Sequence, residues 1–515
     1  MPGLFASRSG LLAVAVTVPL LSATAAQDQK PLAFEVSYTA EVHPGPVSAR
    51  VYVMLGPPAG LSEPRFGPSW FAPQPFFAVE ARVWKPGTPL QVGPEAAGFP
   101  GPLSTLKAGR YAAQAVMRLN PDTHSIGDGE GNAFSPVVVV ELDPEQGGVT
   151  QLTVNRVVAP KRFEETDRLK LVDIPSPILS GFYCRPMRLR AAVHLPEGDP
   201  TVRRPTLYVV PGFGGDYRSA RRQSGRDRIA FGSDMIRVVL DPDCGTGHHV
   251  FADSANNGPR GRALVEELIP YIEKTFPAIA EPGARLLNGH SSGGWSTLWL
   301  QATYPDTFGG TWSTSPDPVD FRDFQKINIY APGENAFRDS AGDRRPIARF
   351  GTRPVLFYDS FSRMEDVLGE GGQLRSFEAV FSPRDPHGQA RRLWNRTTGA
   401  IDPDVARAWE NYDIRLVLER NWEKLGPKLA GKLHVIVGDL DTFYLEGAVK
   451  LLKESLAKLG SDAVVEIVPG RDHSNLIDPE LAARFDREMS AAVAKYRPGK
   501  AAPVPQRTEV EAKSR

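Results

Sequence analysis

Cysteine is nearly absent, with two residues in a chain of 515. That excludes a disulfide-built scaffold, a cysteine zinc site and an iron–sulfur centre. Net charge is absent too, because 60 Lys and Arg balance 60 Asp and Glu. Without a basic block the chain has no electrostatic footprint for nucleic acid or for an acidic lipid surface. Long apolar runs are also missing. A membrane span needs about 20 apolar residues, and the best candidate, Leu11 to Leu21, falls well short.

Glycine and proline are abundant, at 48 and 47 residues. Such an excess implies many turns and excludes a coiled coil or an all-helical bundle. Hydrophobic residues at 41% and charged residues at 23% describe a globular chain, long enough for two or three domains.

Arg8, the apolar run Leu11–Leu21 and the small residues Ser22 to Ala26 have the order of a secretory signal peptide. The competing reading is a retained anchor, but the abrupt polar turn at Gln27–Lys30 favours removal. Residues 1–26 are therefore expected to be cleaved, leaving a secreted or periplasmic protein with no membrane span in the mature chain. Residues 32–160 read as short β segments broken by Gly and Pro, among them Phe34–Tyr38, Ala49–Leu55, Phe77–Trp84 and Gly109–Leu119. A small β-sandwich-like domain would close such strands if each buries one face. Residues 161–497 instead alternate strands (Met187–Leu195, Thr206–Val210, Ile236–Leu240, Leu433–Val437) with helices (Pro259–Phe276, Gly294–Tyr304, Tyr444–Leu459). This α/β pattern predicts a mostly parallel sheet covered on both faces. Residues 316–431 break the rhythm and read as an inserted cap. Residues 498–515, rich in Lys, Ala, Pro and Glu, read as a disordered tail.

Gly289-His290-Ser291-Ser292-Gly293 has the form G-x-S-x-G between a predicted strand and a predicted helix. A serine on so tight a turn needs small neighbours, and the helix N-terminus beside it favours developing negative charge. Two further elements follow in the order acid, histidine. Gly438-Asp439-Leu440-Asp441 ends one strand, and Pro469-Gly470-Arg471-Asp472-His473 follows the next. Ser291, Asp441 and His473 are thus the candidate nucleophile, acid and base. Asp439 is the less suitable carboxylate, lying closer to its strand, and Asp472 reads as a solvated loop charge. The Gly-rich loop Pro211–Gly215 after strand Thr206–Val210 is the candidate oxyanion loop, with donors from Ser292 and from Phe213 or Gly214.

At these residues the chain resembles the "putative esterase" branch of the α/β-hydrolase superfamily. GHSSGG, GDLDTFYLEG and PGRDHSNL are similar to its nucleophile, acid and histidine segments, and NNGPRGRALVEELIPYIEKTF from Asn256 is similar to its helix before the nucleophile strand. The resemblance covers roughly Leu195–Tyr496 apart from the inserted region and implies an α/β-hydrolase fold there, to which the cap of residues 316–431 and the preceding β domain are additions. It also implies a serine carboxylic-ester hydrolase that works without a cofactor, on a small-molecule or carbohydrate-linked ester. In that fold the second strand lies antiparallel beside the fourth, which would bring Cys184 and Cys244 to one edge as a disulfide.

His248-His249 near Asp243 and Asp253 could suggest a metal, but adjacent histidines diverge and no third ligand has suitable spacing. No metal site is expected, and His249 is assigned to the substrate pocket with His290, Arg384, Trp394 and Trp409. Asn395-Arg396-Thr397 is a glycosylation sequon. The competing functions are an acyltransferase of the same fold and a non-catalytic binding protein on a hydrolase scaffold, which an intact set of Ser, Asp and His disfavours. A prolyl-oligopeptidase-type peptidase is disfavoured because the N-terminal region is too short for a propeller.

Overall fold

A computed structural model describes residues 30–495 apart from residue 61 and residues 224–230. The expected signal peptide and disordered tail lie outside the described residues.

The C-terminal two-thirds is built on one eight-stranded sheet. Its strands are β1 (Leu169–Pro175), β2 (Arg188–His194), β3 (Thr206–Val210), β4 (Ile236–Leu240), β5 (Arg285–His290), β6 (Gly310–Thr314), β7 (Leu433–Gly438) and β8 (Val464–Val468). They lie in the order β1-β2-β4-β3-β5-β6-β7-β8. The β1–β2 and β2–β4 pairs are antiparallel and every pair from β4 to β8 is parallel. This is the α/β-hydrolase arrangement. β3 is buried along its whole length. Tyr208 and Val210 pack on one face with Leu264, Leu268 and Ile272, while Leu207 and Val209 pack on the other with Phe485 and Met489. A strand covered on both faces reads as a continuous apolar run, which is why it was legible.

The N-terminal region is a sandwich. A three-stranded sheet packs on a seven-stranded one, with Phe34, Val36 and Tyr38 against Val51, Val53 and Met117. The expectation that each strand buries a single face fails for the larger sheet. Tyr52, Met54, Phe76 and Val116 point the other way and join the core of the insertion. Hence Val51–Leu55 is apolar without alternation. Hydrogen bonds cross the same seam, from Tyr52 Oη to the Leu368 carbonyl (2.6 Å) and from Arg50 to the Val367 carbonyl (2.9 Å). The domain is therefore a wall of the catalytic half.

Residues 316–431 connect β6 to its neighbour β7 and leave the sheet at the end where Ser291 lies. Helix Ile414–Leu429 starts at Asp413, whose carboxylate accepts from the backbone of Leu416 and Phe321 and from Tyr330 Oη. Buried Arg415 offsets the charges of Asp413 and Asp320, so both ends of the insertion are tied at one point. Trp394 and Trp409, expected at the substrate, are core residues at 1% and 0% exposure. Their indole N–H groups are satisfied by Ser362 and Ser382. Large aromatics in a mixed-polarity segment were filling its own interior.

The Cys184–Cys244 disulfide is not formed: both cysteines are free. The strand placement behind it is correct, but β4 ends opposite Ala191 of β2. Cys184 lies seven residues before Ala191, in a left-handed turn that ends helix Pro177–Tyr183, and is exposed. Cys244 folds back into a short pairing with Gly247 and is buried. Thiol titration without reductant should find one reactive thiol in the native protein and two after denaturation. Zero thiols in the denatured protein would contradict this.

Candidate active site

Ser291 sits between β5 and helix α1 (Ser292–Thr303) with φ 59° and ψ −127°. Positive φ is costly for serine and persists only where packing enforces it. Here the packing is explicit. A Cβ on Gly289 would lie 2.1 Å from the Gly293 carbonyl oxygen, and one on Gly293 would lie 2.0 Å from that of Val210. Only glycine lets strand, helix and β3 approach so closely. The Ser291 N–H donates to Thr314 O (3.0 Å), and its carbonyl accepts from Trp295 and Asp317. The Ser291 side chain makes no capping bond.

The neighbouring strand ends supply the other groups. Asp441 follows β7 and is fully buried. His473 follows β8, and its Nδ1 donates to Asp441 Oδ2 at 2.8 Å. The other oxygen, Oδ1, accepts the Phe443 N–H at 2.9 Å. Burial alone would raise the Asp441 pKa, but the charge and hydrogen bond of His473 and the Phe443 bond outweigh it. The carboxyl is held below its ordinary range. Asp439 accepts from the Gly470 N–H in an exposed setting and braces the histidine loop instead.

Ser291 and His473 face a cavity of ≈ 280 Å³. His290 also lines it, its ring 4.4 Å from that of His473. Burial, then the charge of His473, lowers the His290 pKa to about 3, so that ring stays neutral. Gly212 lies against the serine: a Cβ there would be 3.3 Å from Ser291 Cβ. Phe213 lines the cavity, whereas Gly214 lines a separate polar cavity between the domains. Of these two residues, Phe213 is the one that lines the Ser291 cavity. Ser292, as first residue of α1, has an N–H with no helical partner.

His249 does not line this cavity. Its Nδ1 accepts from Phe251 N–H, so Nε2 carries the proton toward Asp241 O (3.2 Å). His248 works the same way, accepting from Val250 and donating to Pro211 O at 2.8 Å. Its pKa is pushed down to about 4 by burial. The pair braces the loops at the strand ends and, among the described residues, no cluster of three or more His, Cys, Asp or Glu is arranged for a metal ion. Arg384 lines a different pocket with Asn256 and lies over the Phe182 ring.

Sequence reasoning missed Asp317, Gln373, Trp70, Phe361 and Phe443, which all line the Ser291 cavity. Asp317 lies just beyond the end of β6, a position of the kind that exposed Asp441. Its Oδ2 accepts from Ser292 Oγ at 2.5 Å, and Gln373 Nε2 donates to both partners at 3.3–3.4 Å. Burial raises the Asp317 pKa to about 6. Between the ordinary carboxyl value near 3.8 and about 6, the folded state holds a proton that the unfolded chain has released. This group therefore withdraws stability as pH rises through that window, by about 3 kcal/mol in full. Urea denaturation of Asp317→Asn and the parent from pH 4 to 7 should show the difference moving in the variant's favour up to about pH 6. A difference that stays constant with pH would refute the assignment.

The family described as "Putative esterase" matches residues 186–446, just over half of the chain. The chain belongs to this esterase family. The match stops short of His473, which the fold brings to Asp441. The esterase is thus a carboxylic-ester hydrolase on an α/β-hydrolase fold. Among solved structures it is similar to fluorophosphonate-binding serine hydrolase F of Staphylococcus aureus, at 16% identity over 63% of this chain and 99% of that one, TM-score 0.38. It is also similar to an S-formylglutathione hydrolase from Agrobacterium tumefaciens, at 14% identity over 63% and 94%, TM-score 0.37. A third is a ferulic acid esterase from Anaeromyces mucronatus in complex with ferulic acid, at 15% over 65% and 95%, TM-score 0.31. No curated protein matches the chain.

Proposed function

We propose that the esterase hydrolyses esters through a Ser291–His473–Asp441 triad and an acyl-enzyme, and that it is exported. The observation that carries the triad is the 2.8 Å bond from His473 to buried Asp441, in a histidine that shares its cavity with a serine at positive φ. Asp441 fixes the tautomer with the proton on Nδ1, so Nε2 is free to accept the Ser291 hydroxyl proton. Ser291 Oγ bonds to the acyl carbon, and the carbonyl oxygen gains negative charge between the N–H groups of Ser292 and Phe213. Collapse breaks the ester C–O bond, and His473 returns its proton to the departing alcohol. Water then repeats the sequence and releases the acid.

Stopped-flow hydrolysis of p-nitrophenyl esters should give a burst approaching one nitrophenol per enzyme wherever deacylation limits turnover. Acid quenching within the burst should trap the acyl group on the protein. Hydrolysis of these esters with no trapped acyl group for any of them would overturn the covalent route. Export rests on the pattern of residues 1–26. N-terminal sequencing of the mature chain should begin near Gln27, and a mature chain beginning at Met1 would overturn cleavage.

A further inference from the structure

A long connection, described at residues 57–60 and 62–75, joins two N-terminal strands, Val47–Gly56 and Phe76–Trp84. Its middle is braced on the sheet. Arg65 donates its backbone N–H to Gln114 and its guanidinium to Glu63, and lies over the Phe66 and Phe134 rings. From this brace the chain reaches across the domain seam, and Trp70 enters the cavity of Ser291. Its ring meets three aromatic rings of the catalytic half: Phe213 at 5.7 Å, Phe361 at 5.2 Å and Phe443 at 6.1 Å. Each comes from a different part of the site. Phe213 belongs to the oxyanion loop, Phe361 to the insertion, and Phe443 touches the His473 ring at 4.9 Å.

Trp70 and Phe213 also line a second cavity of ≈ 350 Å³, bounded by residues 65–68 and 124–128 of the N-terminal domain. The two rings thus form the partition between the two spaces. On the side of Ser291 the wall is apolar, made by Trp70, Phe361, Leu356 and Ile347. In an acyl-enzyme mechanism the alcohol departs first while the acyl group stays attached, so a walled apolar space beside the serine suits the acyl side of the ester.

We propose that Trp70 is a specificity-determining residue lent by the N-terminal domain, and that it sets the upper size of an uncharged, apolar acyl group in the Ser291 cavity. The inference rests on Ser291 as nucleophile. Removing the indole joins the two cavities and relaxes the limit.

The test compares the parent, Trp70→Ala and Trp70→Phe on p-nitrophenyl acetate, butyrate and octanoate, and on a set of acetates with alcohols of increasing size. Trp70→Ala should raise the octanoate-to-acetate ratio of kcat/KM by about tenfold or more, since a change in pocket size discriminates at that level. Trp70→Phe, which retains an aromatic wall and guards against misfolding of the alanine variant, should fall between. Stoichiometric modification of Ser291 by a small fluorophosphonate reads the nucleophile separately, and its failure in the parent would be a failure of the triad. With labelling intact, an unchanged acyl ratio in both variants, or a shift confined to the alcohol series, would overturn the inference.

Discussion

Ser291→Ala should lower kcat for ester hydrolysis by about 10⁴–10⁶ while leaving the fold intact. The large loss follows from covalency: without Oγ no acyl-enzyme forms, and only binding and the oxyanion donors remain. The fold should persist because the Ser291 side chain caps nothing, and alanine meets the same positive-φ strain as serine. The backbone bonds that hold the turn, to Thr314, Trp295 and Asp317, are unaffected. Circular dichroism and the urea midpoint check the fold, and steady-state kinetics the rate. An alanine variant within about tenfold of the parent would remove the serine from the mechanism.

The second large effect separates two carboxylates two residues apart. Asp441→Asn should cost about 10⁴ in kcat, because an amide cannot hold the His473 tautomer that leaves Nε2 free to accept a proton. Asp439→Asn should cost no more than about tenfold. Its bond to Gly470 N–H steadies the loop, and an amide oxygen can accept the same bond. Equal losses, or a greater loss at Asp439, would show that the histidine is oriented by the wrong residue in this account.

The residues proposed to carry the chemistry could be singled out because each sits beside an element with a strong local signature. β3, β4 and β7 are short runs of branched apolar residues buried on both faces, and the glycines around Ser291 advertise a turn no other residue fits. β6 was not legible. Its sequence, Gly-Thr-Trp-Ser-Thr, holds one strongly apolar residue, yet all five positions are buried. The reason is close approach: Ser313 and Thr314 hydroxyls bond the carbonyls of Gly294 and Gly289, so small polar side chains let the Ser291 turn sit on the sheet. Missing that strand hid Asp317 beyond its end. Trp70 was hidden for another reason. Nothing local in a Gly- and Pro-rich loop says that it docks on another domain. The non-alternating run Val51–Leu55 was the available hint that the N-terminal sheet is covered on both faces. The tryptophans of the insertion and the cysteine pair failed on distance: composition named the residues, but only the packed structure says which of them meet.

The most direct test of the central claim is reaction of the native esterase with a fluorophosphonate, followed by intact mass measurement and peptide mapping. The account predicts one adduct per chain, located on Ser291, formed in step with loss of esterase activity and absent from Ser291→Ala. An adduct on another residue that abolishes activity, or full activity with Ser291 modified, would contradict it.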